Sequence, residues 1–166
     1  MRQALIGFVL LCLFAFLPSC ATAKINTLEE LQLKENTPDK LGWWLESNIW
    51  YHLEQTDCWQ APERTFKTKK GDCEDFVILG KYILDKQGYK TWFVIIIPYE
   101  KRAHAVCVYE SKGKFYVMDN GEIHLTNAKD FAGVSKYLTE KNGENCGLNL
   151  LDDVDIAERI RLTKGY

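Results

Sequence analysis

The 166-residue sequence has no block of basic residues and no Lys/Arg stripe interleaved with aromatics, so it lacks the electrostatic footprint of a nucleic-acid binder. Its six cysteines include no pair spaced C-x₂₋₄-C, which sets aside a structural zinc site. No apolar run reaches the roughly 20 residues that cross a bilayer as a helix. There is no internal repeat and no low-complexity tract. Histidines number three, so any imidazole chemistry falls to His52, His104 or His124. What is present is a balanced chain, with net charge −2 and pI near 5.9. At 46% hydrophobic and 13% aromatic residues it has the make-up of a folded domain rather than a disordered segment.

Residues 1–23 are predicted to be an export signal. Arg2 gives a charged start, and Ala4 to Leu17 is almost wholly apolar. Two processing sites compete. Leu17-Pro18-Ser19-Cys20 resembles a bacterial lipobox with Cys20 as the lipidated first residue, whereas Ala21-Thr22-Ala23 fits small-x-small cleavage before Lys24. Either route sends a single domain, 24–166, out of the cytoplasm. The expected location is the periplasm or, through a lipid on Cys20, the outer membrane of a Gram-negative bacterium; secretion is the alternative. Disulfides are permitted there. If Cys73 stays a free thiol, Cys58, Cys107 and Cys146 allow one bridge, in three pairings.

Along the domain, Thr37-Pro38-Asp39 signals a helix start, and Leu41, Trp44, Leu45, Ile49 and Leu53 recur at helical spacing through about Gln55. Trp43, Trp50 and Tyr51 widen that apolar face, and His52 lies at its boundary. Residues 59–71 read as a loop. Asp72 is a helix N-cap with Asp75 as capping-box partner; Phe76, Leu79, Gly80, Ile83 and Leu84 form one stripe, and Gly88 closes the helix. Strands are predicted at 91–97, 103–109, 115–118 and 122–125, with turns at 111–114 and at Asp119-Asn120-Gly121. Residues 128–138 and 153–161 read as further helices. Helices first and an antiparallel meander after them make an α+β domain, with the helices on one face of a small sheet.

The chemistry centres on Cys73. It falls in the first turn of its helix, where backbone N–H groups and the helix dipole favour a thiolate. Such a nucleophile needs a base, and the base an orienting partner. His104 opens the second strand, and Asp119 closes the paired third strand, so the two can stand side by side on one sheet face, with the Cys73 helix packed over that face. Cys107, at odd spacing from His104, should point to the opposite face. His124 follows the turn after Asp119 and competes weakly for the base role.

Gly71-Asp72-Cys73-Glu74-Asp75, Ala103-His104-Ala105-Val106 and Met118-Asp119-Asn120-Gly121 resemble, in order, the motifs of the transglutaminase-like branch of the papain-like superfamily, closest to the bacterial transglutaminase-like cysteine proteinases. Trp59-Gln60-Ala61-Pro62-Glu63 resembles the W-x-x-P-x-E element of that family. The resemblance implies a papain-like core with the nucleophile at a helix N-terminus, Cys73 as nucleophile, His104 as base and acid, and Asp119 as the residue orienting His104. It implies an oxyanion donor at Trp59 or Gln60 beside the Cys73 N–H. In adhesin-cleaving relatives acidic residues around the cysteine bind calcium; Asp72 and Glu74 match those positions, and Asp75 is a further candidate. Otherwise the chemistry requires no cofactor. The expectation is an exported monomeric cysteine peptidase on a protein or peptide substrate. A transglutaminase or amidase on cell-envelope material, or a catalytically silent binding module with the same fold, are the alternatives.

Overall fold

The computed structural model describes residues 24–54, 58–99, 101–143 and 146–163. The expected export signal at 1–23 lies outside them. Thr27 caps a short helix α1 (Leu28–Lys34) by accepting from the Glu30 N–H, in a lead-in whose polarity gave no helical signal. Thr37 caps α2 (Pro38–Asn48) in the same way, with Pro38 in the first turn.

That helix ends at Asn48 and does not run on to Gln55. Trp50–Tyr51 (β1) turns extended and pairs in parallel with Lys70–Gly71 (β2). His52 therefore sits off the helix, with its N–H donating to the Gly71 carbonyl at 2.8 Å. The expected loop at 59–71 also contains a helix, α3 (Pro62–Thr68), which Lys69 terminates in the left-handed conformation at φ 56°.

α4 (Cys73–Lys86) is the central element. Nearly its whole middle is buried, so it is apolar all round rather than striped. It packs with α1, α2 and α3 against one face of a five-stranded antiparallel sheet of order β6-β5-β4-β3-β7. The strands are β3 (Lys90–Ile97), β4 (His104–Ser111), β5 (Lys114–Asp119), β6 (Glu122–Leu125) and β7 (Gly147–Leu151). The first four are the expected meander. β7 is an addition: its half-exposed GLNLL has no alternation to betray it.

Two helices complete the fold, α5 (Phe131–Asn142) and α6 (Asp153–Thr163). α5 covers the second face of the sheet, where Val134 and Leu138 pack with Val94, Val106, Val108 and Val117. The helices thus lie on both faces, not one. Phe93, Ala105, Cys107, Tyr109 and Met118 point the other way, into the α4 core.

The turn after Asp119 is fixed from outside. Asn120 and Gly121 both have positive φ, 50° and 105°, as a two-residue hairpin of this hand requires. Gly42 on α2 presses against it, and a Cβ there would collide with the Gly121 carbonyl.

Candidate active site

Strand register brings the histidine and the aspartate together. β4 and β5 pair with Cys107 opposite Met118, which sets His104 diagonal to Asp119 on one face. The His104 Nε2 lies 2.7 Å from the Asp119 Oδ1. A carboxylate only accepts, so Nε2 carries the proton and Nδ1 is left as the basic lone pair. Burial works against the Asp119 charge, but the hydrogen bond and charge of His104, helped by Lys141 and His124, hold its carboxyl below the usual range. His124 pairs across from Val117 on β6 and so flanks Asp119 from the side away from His104; it makes a 3.6 Å contact with Glu122.

By strand alternation His104 and Asp119 share the face of Val106 and Val117, under α5, while α4 lies on the other face. The nucleophile helix therefore does not cover the His–Asp pair. Its first turn reaches the pair past the end of β4, where the Ala105 backbone N–H bonds the Cys73 sulfur. Cys73 and His104 line one cavity of about 530 Å³, together with Trp59, Asp72, Glu74 and Arg102.

The thiol is not a thiolate in this arrangement. Cys73 is 7% exposed, and its Sγ donates to the Glu74 carboxylate at 3.1 Å. Burial first, then the Glu74 charge, push its pKa up to about 12, against the lowering effect of the Ala105 N–H. Desolvation and a neighbouring anion outweigh the helix N-terminus.

Asp75 lies two residues on and is fully buried. Its Oδ1 accepts from the Gln60 N–H and its Oδ2 from the Gln60 side-chain amide, each at 2.8 Å. The Asp72 N–H also donates to Oδ2 at 3.4 Å, completing a capping box. Burial raises Asp75 to about 7, opposed by the Gln60 N–H and assisted by Asp72 and Glu54. A side chain at Gly71 would place its Cβ 2.5 Å from the Asp75 Cβ, so the bend entering the helix needs glycine.

These bonds separate the two oxyanion candidates. The Gln60 amide also reaches Glu54 at 3.2 Å and Lys70 at 3.4 Å, so it faces inward and does not line the cavity. Trp59 does line it, stacked on Phe93 at 5.1 Å. The acids do not converge as calcium ligands: both Asp75 oxygens are taken by Gln60, Glu74 holds the thiol, and no metal-sized group of three or more such side chains occurs among the described residues. Among the described residues Cys58, Cys107 and Cys146 form no disulfide, and Cys107 is buried on the α4 side. Arg102 and Arg159 were not anticipated at the cavity; nothing in their sequence surroundings marks either as a site residue.

A sequence profile described as transglutaminase-like domain matches residues 23–145. The chain belongs to that family. Membership supports a cysteine hydrolase-type role, in keeping with the ordered motifs. Solved structures resemble this transglutaminase-like domain more distantly. Calcium-bound Legionella pneumophila LapG matches at 19% identity and TM-score 0.49, over 61% of this chain and 64% of that one. The EGTA-treated form of the same protein gives 18%, 0.46, 64% and 60%. A Cytophaga hutchinsonii protein assigned as a cysteine protease gives 14%, 0.48, 75% and 49%. The chain spans less than two-thirds of the length of each of these three. Among curated proteins no sequence matches.

Proposed function

We propose that this domain is a cysteine hydrolase or acyltransferase that opens an amide bond through Cys73, His104 and Asp119. The observation that carries the reading is the 2.7 Å His104–Asp119 bond at the edge of the cavity that Cys73 also lines. Nδ1 of His104 takes the thiol proton, and the sulfur attacks the amide carbonyl carbon. The developing oxyanion is met by the Cys73 backbone N–H, with Trp59 on the adjoining wall. As the C–N bond breaks, His104 returns the proton to the leaving amine and a thioester remains. Water, activated by the same imidazole, releases a carboxylic acid; an amine in its place gives acyl transfer. The substrate class is protein or peptide, the enzyme a monomer, and the site of action the periplasm or outer membrane after export.

Iodoacetamide labelling at pH 6 with mass-spectrometric site assignment tests the thiol, and comparison of envelope proteomes from wild-type and Cys73→Ala cells tests turnover. Cleavage products missing in the variant are expected. Identical proteomes, with Cys73 labelling no faster than an ordinary thiol even in the Glu74→Gln protein, would remove the enzymatic reading. The proton held between Cys73 and Glu74 favours a second state of the same site, a latent one. In that state labelling is slow until Glu74 is displaced.

A further inference from the structure

Tyr51 belongs by spacing to an apolar helix face, yet it lies on β1 and reaches the catalytic corner. The parallel pairing of β1 with β2 sets it opposite Gly71, two residues ahead of Cys73. That register is held on both sides: the Trp50 N–H donates to the Lys69 carbonyl and the His52 N–H to the Gly71 carbonyl, each at 2.8 Å. The Tyr51 ring packs on Phe76, one turn along α4 from Cys73, with ring centres 6.4 Å apart. Backbone and ring are thus both fastened to the segment that carries the nucleophile, and the side chain lines the cavity with Cys73 and His104.

Attack by the thiol puts negative charge on an oxygen whose carbon is bonded to the sulfur, so a second donor serves it only from close beside Cys73. Of the residues that resemblance offers for that place, Gln60 is turned to Asp75 and Trp59 stacks on Phe93. Tyr51 brings a neutral O–H. Burial raises its pKa above the ordinary value; negative charge at Cys73 raises it further, ahead of Asp72 and Glu74 and against Arg102. The hydroxyl therefore keeps its proton at neutral pH, and among its charged neighbours Cys73 acts on it most. We propose that the Tyr51 hydroxyl is a catalytic group that donates a hydrogen bond to the oxyanion alongside the Cys73 backbone N–H. The bond strengthens as the sulfur–carbon bond forms and the oxygen gains charge; the proton stays on Tyr51, and the carbonyl re-forms as the C–N bond breaks. This rests on the hydrolase reading above.

Two measurements on the full chain separate the proposals. The first is steady-state cleavage of the best peptide from a proteome-derived library by wild type and Tyr51→Phe. The variant's kcat should fall about 10²-fold with KM held within about threefold, because the donor acts on the charged oxygen and not on the bound amide. The second is inhibition or adduct formation with the peptide aldehyde acetyl-Leu-Leu-norleucinal, read by mass spectrometry and by Cys73 protection from iodoacetamide. A thiol adds to an aldehyde to give a tetrahedral carbon bearing the same oxygen, so adduct affinity should weaken in Tyr51→Phe by about the factor lost from kcat. Phenylalanine keeps the ring on Phe76 and leaves the β1–β2 backbone bonds untouched, so the variant should fold, which melting curves will verify.

Cleavage with an unchanged kcat in Tyr51→Phe, or a loss confined to KM, overturns the oxyanion role and leaves the hydrolase reading standing. An aldehyde adduct that weakens in Tyr51→Phe, in a protein that cleaves nothing, supports the donor and sinks the hydrolase. Neither cleavage nor adduct overturns both.

Discussion

At the histidine end of the site the imidazole is already clamped to its carboxylate at 2.7 Å; at the cysteine end the thiol proton rests on Glu74 rather than on a base. The contrast follows from what holds each end. His104 and Asp119 stand on adjacent strands whose register sets them diagonal to each other on one face, with His124 on the far side of Asp119, and the Gly42–Gly121 contact fixes the turn behind them. Cys73 sits where a helix begins, among three acids, and its side chain can choose a partner. A sheet fixes pairs through its register, whereas a helix start supplies only a favourable potential, which burial and one nearby anion can overcome.

The largest effect expected at the fixed end is from His104→Ala. Without Nδ1 nothing takes the thiol proton, and turnover should fall by about 10²–10⁴-fold, measured as kcat/KM on the best peptide from a library screen. Turnover within threefold of wild type would mean that another group is the base. Asp119→Asn is the gentler cut. The shape is kept, but the charge that favours a protonated imidazole is lost, so kcat/KM should drop on the order of tenfold to a hundredfold. A loss carried wholly by KM, with kcat unchanged, would show that Asp119 does not act through His104.

At the cysteine end the sign reverses. Glu74→Gln removes the second-largest contributor to the raised thiol pKa while leaving the sulfur as buried as before. Alkylation of Cys73 at pH 7 should therefore speed up several-fold, because a lower pKa raises the thiolate fraction. If the rate does not change, desolvation alone holds the thiol neutral and the latent state has no switch at Glu74.

How much of this was legible beforehand follows the same division. The meander and the helix behind Asp72 were readable because alternation, turn residues and a capping box are local signals. The two short helices, at 28–34 and 62–68, were not; each is seven residues long and too short for a repeating stripe, and the second has no capping side chain at its start. β7 is held by its pairing with β3, and its half-exposed residues carry no pattern. The side of the sheet on which α4 packs was misjudged, since spacing can put His104 and Asp119 on one face without saying which face the helices cover. The Glu74–thiol contact and the turning of Gln60 toward Asp75 are choices among side-chain partners that only the packed interior makes.

Asp75 gives the smallest and most specific test, because it joins the two ends. It fastens the Trp59–Gln60 wall of the cavity to the helix that carries Cys73. Its folded pKa, near 7, lies above the ordinary carboxyl value of 3.8. A raised acid binds its proton more tightly when folded, so the folded state holds more protons between those values, and stability falls as pH rises from about 4 to about 7. The loss is on the order of 1–3 kcal/mol. Asp75→Asn mimics the protonated form in shape and does not titrate. The variant's melting temperature should therefore lack that part of the decline, and the difference between the two proteins should narrow toward pH 4. Parallel curves from pH 4 to 7 would show that Gln60 and the helix start keep Asp75 ionised throughout. Glu54 and Asp72, whose charges help raise it, would then have to be screened from it.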